Sequence, residues 1–359
     1  MLRWHRGDKY LVQRRLVGLL LLLTAGAGGA GCSSNPLNKF ASQKPPTIEP
    51  ARAAQSPPVS QNPAGAVRPL GGKAVAAIFD SGTHQLAVLT PGEDAAAPAS
   101  ITEFGDPHVA PRVIPLPGPA TALTDDGRGT VYLAARGSYY SVDLSTGQTA
   151  HLTVADAQQA EFTAIAQRAD GKLVLGSADG AVYTLASQTA VGSRNKIFAR
   201  VDSLATQGNT TVVLDRGQTS VTTIGADGHV EQALRAGEGA TTLAADPLGR
   251  VLVADTRGGQ LLVYGCCSPR TPLILRQAYP VRQAPYGLAG SRKLTWVSQT
   301  ASNAVIGYDL STGIPVERVR YPTVQQPNSL AFDEASDTLY VVSGSGAGVQ
   351  AIEHASGTP

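Results

Sequence analysis

Cysteine and histidine are the residue types that most often bring nucleophilic, redox or metal chemistry, and this chain has three of the first and six of the second. Cys266 and Cys267 are adjacent. Neighbouring Cα atoms sit about 3.8 Å apart across a trans peptide, below the usual disulfide span of about 4.4–6.8 Å. The pair falls in Gly265-Cys-Cys-Ser-Pro269, a turn at the end of a β-rich run. Three readings stay open: a disulfide that locks the turn, two inert thiols, or a redox or metal role. The last would need further ligands that the sequence does not place nearby. His5, His84, His108, His151, His229 and His354 are scattered, with none at a metal-ligand spacing. There is no Gly-x-Ser-x-Gly elbow, phosphate loop or dinucleotide fingerprint. Asp143-Leu-Ser-Thr-Gly147 and Asp309-Leu-Ser-Thr-Gly313 read as hairpin turns, with Asp bonding the turn backbone and Gly supplying positive φ. No catalytic residue and no metal ligand is assigned.

The third cysteine, Cys32, has a different setting. A basic stretch through Arg15 precedes the apolar run Leu16 to Leu23 and the small-residue tract Thr24 to Gly31, so residues 1–31 read as an export signal. A cysteine directly after Gly-Ala-Gly resembles the bacterial lipobox, although Gly29 stands where that pattern usually has Leu. The resemblance implies cleavage before Cys32, a diacylglycerol on its thiol, an N-acyl chain such as palmitate as a further option, and no other cofactor. Five glycines and a short apolar run make a poor spanning helix. The body is therefore expected outside the cytoplasm, lipid-anchored to the cell membrane. Arg14-Arg15 leaves the general and twin-arginine export routes both open. Without residues 1–31, which hold five basic residues and one acidic, 24 basic and 26 acidic residues remain, a net of −2. That balance gives no electrostatic case for nucleic acid.

Residues 32–66 hold prolines at 36, 45, 46, 50, 57, 58 and 63 and no sustained apolar period. Such a stretch buries too little surface to offset its ordering entropy, and the expectation is an extended, disordered tether. From there to 354 the chain repeats itself. Segments beginning at Ala77, Leu123, Ile165, Leu204, Leu243, Leu288 and Leu330 lie 46, 42, 39, 39, 45 and 42 residues apart. Each is followed by a turn and a β-rich run such as Val131-Tyr-Leu133 or Val251-Leu-Val253, then in most copies by another. Three or four short strands per period of about 40 residues is the pattern of a propeller blade. The seventh copy stops too soon for a fourth strand, while Val67-Arg-Pro-Leu-Gly71 precedes the first. An all-β, seven-bladed β-propeller follows, over 67–354, with its N-terminal strand completing the last blade and 355–359 left as a tail.

Ala240 to Tyr264 resembles an NHL-type propeller repeat, and Tyr308 to Gly313 is similar to the YVTN-type surface-propeller repeat. Over the whole chain, Cys32 to Leu37, Ala64 to Leu70 and Asp170 to Leu185 resemble the LppL-like lipoproteins of mycobacteria. That implies a propeller lipoprotein of an actinobacterial envelope and carries over no activity. Propellers concentrate binding where inter-blade loops meet the channel. Here that rim is expected to hold Arg136, Asp179, Asp215, Arg216, Asp255, Arg257, Tyr286, Asn303 and Asn328. The expected role is a monomeric binding or assembly scaffold that engages envelope protein or glycan. The rival is a metal-dependent lactonase- or lyase-like enzyme, against which the scattered Asp and scarce His argue.

Overall fold

The computed structural model describes residues 46–267 and 272–357. The export signal, Cys32 and the first part of the expected tether lie outside the described residues. Among the described residues there are seven four-stranded antiparallel sheets, each a blade, and in six of them the strands follow sequence order. The innermost strands are Ala76–Asp80, Ala122–Asp125, Phe162–Gln167, Ser203–Gln207, Ala240–Ala245, Pro285–Gly290 and Pro327–Asp333, and each contains one of the seven repeat anchors.

Composition changes with distance from the axis. Near the axis the strands crowd one another, and alanine, threonine and serine recur there. The second strands are buried on both faces between neighbouring blades and read as continuous apolar runs: Leu86 to Leu89, Val212 to Leu214 and Val251 to Ala254 are fully buried. The outer strand Val191–Lys196 alternates half-buried and exposed, as one wet face requires. The core accordingly forms seven apolar clusters, one at each seam between neighbouring blades. Hydroxyls bridge several seams near the axis: Thr121 donates to the Phe162 carbonyl at 2.7 Å, Thr163 to Val201 at 2.5 Å and Ser298 to Pro327 at 2.5 Å.

Ring closure uses three residues. Ala66–Arg68 forms the outer strand of the last blade, pairing Ala66 with Ala351, Val67 with Gln350 and Arg68 with Val349. The chain enters this strand through Gly65 at φ +69°, where an added Cβ would lie 2.1 Å from the Ala351 carbonyl oxygen. Only glycine fits both constraints. The fully buried Gln350 secures the junction: its amide donates to the carbonyls of Ala64 at 2.7 Å and Pro322 at 3.0 Å, and its oxygen accepts from the Val324 N–H at 3.0 Å.

The chain at both ends differs from expectation. Residues 46–65 are extended and proline-rich, but they are ordered against the loops of the fourth to seventh blades and do not hang free. Apolar area is a poor guide there, because polar groups of the loops satisfy the backbone of this segment. At the other end Ala355 is fully buried and takes a hydrogen bond from the Tyr321 hydroxyl, so the body continues past 354.

Replacing Gln350 by Leu keeps the volume, leaves the Ala64 carbonyl and the Val324 N–H without a partner, and takes one of two donors from the Pro322 carbonyl. The expected loss is about 2–4 kcal/mol, read as a lower urea midpoint together with faster amide exchange in Ala66–Arg68. An unchanged midpoint and unchanged exchange would show that the side chain does not hold the ring shut.

Candidate functional site

One end of the ring is built from the turns between second and third strands and from the linkers between blades. A cavity of about 310 Å³ opens at the axis, walled by the first residues of the inner strands, including Thr121, Thr163, Ser203 and Thr242. Of the rim residues expected from sequence, Arg216, Tyr286 and Asn328 line this mouth. The Tyr286 carbonyl also accepts the Thr242 hydroxyl.

Asp215 and Asp255 face inward. Both are fully buried. Asp215 accepts N–H groups of Ala199 at 2.7 Å and Gln218 at 3.0 Å; Asp255 accepts those of Glu238, Gly239 and Gly258 at 2.8–3.0 Å. Each staples the linker entering its blade to the turn above it. Burial raises the Asp215 pKa, while the three backbone donors, including Arg200 N–H, oppose that shift. These two carboxylates are structural and are not available to a ligand.

Arg216, Arg257 and Asn303 are engaged by the chain itself. Residues 46–58 run as a strap across the face. Ile48 N–H donates to Gly217 O at 2.8 Å. Arg257 Nη2 donates to Glu49 O at 2.7 Å, and Arg216 Nη2 donates to Ala51 O. Further on, Gln326 Nε2 donates to Ala54 O at 2.9 Å and Asn303 Nδ2 to Pro57 O at 2.8 Å. Ser56 is the one strap side chain bonded in this series: its hydroxyl donates to Thr300 O at 2.5 Å and accepts from Gln326 N–H at 3.1 Å. Asn328 joins indirectly, accepting from Gln326 Nε2 at 3.0 Å. Thr300, Gln325 and Gln326 were not among the residues singled out by sequence. The signal for them is the matched register of Ala284-Pro285 and Gln326-Pro327, each a positive-φ residue ahead of a proline that opens an inner strand.

Arg136 and Asp179 lie on the part of the face that the strap leaves open. Arg136 reaches Gln159 Oε1 at 3.1 Å. Asp179 pairs with Lys196 at 2.7 Å, and that bond, followed by one from Ser177, holds its carboxyl below the usual range. With both partners about half exposed, the pair adds little stability.

Cys266 and Cys267 sit elsewhere, at the end of the strand Gln260–Gly265 remote from the strap. Their sulfurs are bonded, with Cα atoms 3.7 Å apart and Cys267 at φ +76°. Among the described residues no group of three or more His, Cys, Asp or Glu side chains is placed to hold a metal ion.

The opposite mouth of the ring holds a second polar cavity, of about 590 Å³, lined by Asp125, Asp126, Arg128, Arg168 and Asp170. Burial, then the nearby Asp80 and Asp126 carboxylates, push the Asp125 pKa up to about 7.

No family model matches the sequence, and no curated protein matches it. Solved structures do match the fold. A chain of a mitotic checkpoint complex superposes with a TM-score of 0.68 at 11% identity, covering 84% of this chain and 96% of that one. The WD40 repeats of RRP9 give 0.64 at 15%, over 82% and 99%. Virginiamycin B lyase from Staphylococcus aureus gives 0.62 at 12%, over 78% and 94%. At these identities the likeness is one of fold, the seven-bladed β-propeller; in this chain the ring is closed by the N-terminal strand.

Asp125 supplies a pH test. Its folded-state pKa lies above the carboxyl's ordinary value, so its contribution to stability is complete below about pH 4 and is lost as pH rises through about 7. Allowing for partial exposure, the wild type should lose about 1–2 kcal/mol relative to Asp125→Asn between pH 5 and pH 8. Denaturation midpoints of the two proteins that run parallel across that range would refute the burial of this carboxyl.

Proposed function

We propose that this chain is an LppL-like lipoprotein of an actinobacterial envelope, exported, acylated at Cys32, and serving as a polypeptide-binding scaffold through the strap-bearing face of its propeller. One observation carries the reading: that face is already in contact with a polypeptide, the chain's own residues 46–58, held extended by loop donors that address its carbonyls. A surface that orders a proline-rich segment with almost no apolar anchor has the chemistry to take an extended chain. This supports protein over glycan as the ligand class.

The strap crosses the fourth to seventh blades, so the free part of the face is the arc of the first three. It comprises the turn around Gly92 to Ala97, Arg136 with Gln159, and Asp179 with Lys196. Both signs of charge are presented there, and a folded partner is assigned to this arc. Docking of Ile48 also leaves about 15 residues between Cys32 and the first bonded strap position, with a fully extended length of about 55 Å. The acyl group and the loop face are thus tied within that distance, and partners are sought in or near the membrane. The lactonase- or lyase-like alternative has no observation of its own in its favour, since a likeness of fold at 12% identity carries no chemistry.

Two measurements test this reading. Cys32→Ala is expected to move most of the full-length protein out of the membrane fraction, whereas a variant that stays there has an anchor other than the lipid. Photo-crosslinking groups placed at Arg136 and Lys196 in intact cells should trap a reproducible membrane or envelope protein that is absent when the group is placed at Val316 on an outer strand. Identical products from all three positions would remove the proposed binding arc.

A further inference from the structure

The two arginines bonded to the strap, Arg216 partly buried and Arg257 exposed, are mismatched with their acceptors. Among the described residues neither Arg216 nor Arg257 forms an ion pair, while most other arginines with a bonded guanidinium on this propeller meet a carboxylate, as Arg112, Arg200, Arg250, Arg318 and Arg320 do. Arg216 and Arg257 instead donate to neutral carbonyls, Ala51 O and Glu49 O, two residues apart on the strap. The Nε of Arg216 is buried and has no hydrogen-bond partner at all. Arg257 also donates to the Glu238 carbonyl at 3.3 Å. Three nearby carboxylates are committed elsewhere. Asp202 is held by Arg200 at 2.9 Å and by the Arg216 N–H at 3.1 Å, and Asp215 and Asp255 are closed by backbone N–H groups.

A guanidinium offers a planar fork that matches a carboxylate in two parallel hydrogen bonds, and such charge-assisted pairs are stronger than bonds to a neutral carbonyl. The strap satisfies this pair of cations only in part. Its own hold on the face is also modest, since Ala51 and Ser56 are its buried side chains and no large apolar residue anchors it. Ile48 and Val59 remain about two-fifths exposed.

We propose that the groove under residues 46–58 is a binding site for an extended acidic polypeptide, whose carboxylates engage Arg216 and Arg257 and whose backbone takes over the Gln325, Gln326 and Asn303 amides, displacing the strap. This rests on the reading of the face as polypeptide-binding and names the chemistry of one partner. The strap acts as a tethered competitor: its effective concentration keeps the groove covered until a ligand of the opposite charge to the two arginines arrives. Proline-containing acidic segments fit best, because the groove supplies side-chain donors to carbonyls at positions 49, 51, 54, 56 and 57 and takes N–H groups at three positions, Ile48, Ala54 and Ser56.

The test uses the full-length chain in detergent and two fluorescein-labelled twelve-residue probes, a Glu-Pro repeat and a Gln-Pro repeat, which share length and extended conformation and differ in charge. Fluorescence anisotropy should show the Glu-Pro probe binding at least tenfold more tightly than the Gln-Pro probe, with affinity falling as salt is raised. Arg216→Gln with Arg257→Gln should abolish that difference, and Arg216→Lys with Arg257→Lys should keep part of it, which separates loss of charge from loss of fold. Hydrogen exchange at Ile48, Ala54 and Ser56 should accelerate when the Glu-Pro probe binds. Equal binding of the two probes with release of the strap overturns the acidic preference and leaves the polypeptide-binding face standing. Binding with the strap amides still protected places the site elsewhere and overturns the proposal, as does the absence of binding by either probe.

Discussion

The ring is closed by a very short contact. Three residues, Ala66–Arg68, pair with the third strand of the seventh blade, and the buried amide of Gln350 joins that junction to the linker from the sixth blade. Every other blade has four strands contributed by one continuous stretch, so its pairing is local and costs little loop entropy. The last blade must bring together residues almost three hundred positions apart. Its apolar seam with the first blade, built from Leu86, Phe104, Val342 and Val349 among others, exists only when that pairing is made. The cyclic arrangement of seams means that opening one frees two blades to separate, and Gly65 and Gln350 hold the position where opening would start.

The closing strand also fixes where the strap begins. The chain that enters it has just left the loop face, with Ala64 bonded to Pro322 and Gln350. Going backwards from there, the chain runs over the sixth, fifth and fourth blades, and Asn303, Thr300, Arg216 and Arg257 meet it in that order. Closure and strap are therefore one device: the residues that lock the ring deliver the preceding segment to the rim. A ligand that lifts the strap need not disturb the lock, because the residues around Pro58 to Gln61 between them are exposed.

The blades and their closure were legible in the sequence because they depend on periodic apolar patterning, which survives in a single chain. All seven anchors fall within inner strands, and the N-terminal strand is misplaced by one residue, Ala66 for Val67. The rim was less legible. Asp215 and Asp255 look like solvated loop ions, yet each lies in an Asp-to-Gly turn of the same kind as Asp143 to Gly147, where the carboxylate turns back on the backbone; the difference is a neighbouring linker that buries it. The strap was misjudged for a related reason. Composition measures how much apolar surface a segment can bury, whereas residues 46–58 are held through carbonyls that every sequence possesses, and the groove residues that select them are spread over four blades.

That distinction bears on what this face can discriminate. Donors aimed at backbone carbonyls read an extended conformation and are indifferent to side chains, so by themselves they give affinity without selection. Selection has to come from groups the strap leaves poorly matched. Asn303, Gln325 and Gln326 find acceptors of their own kind, neutral amide carbonyls, and nothing is gained by exchanging one extended backbone for another. Arg216 and Arg257 are the exception, two cations on neutral acceptors, the first of them at the channel mouth. The neutral amides set the path of a bound chain, and the two guanidiniums decide which chain displaces the resident one.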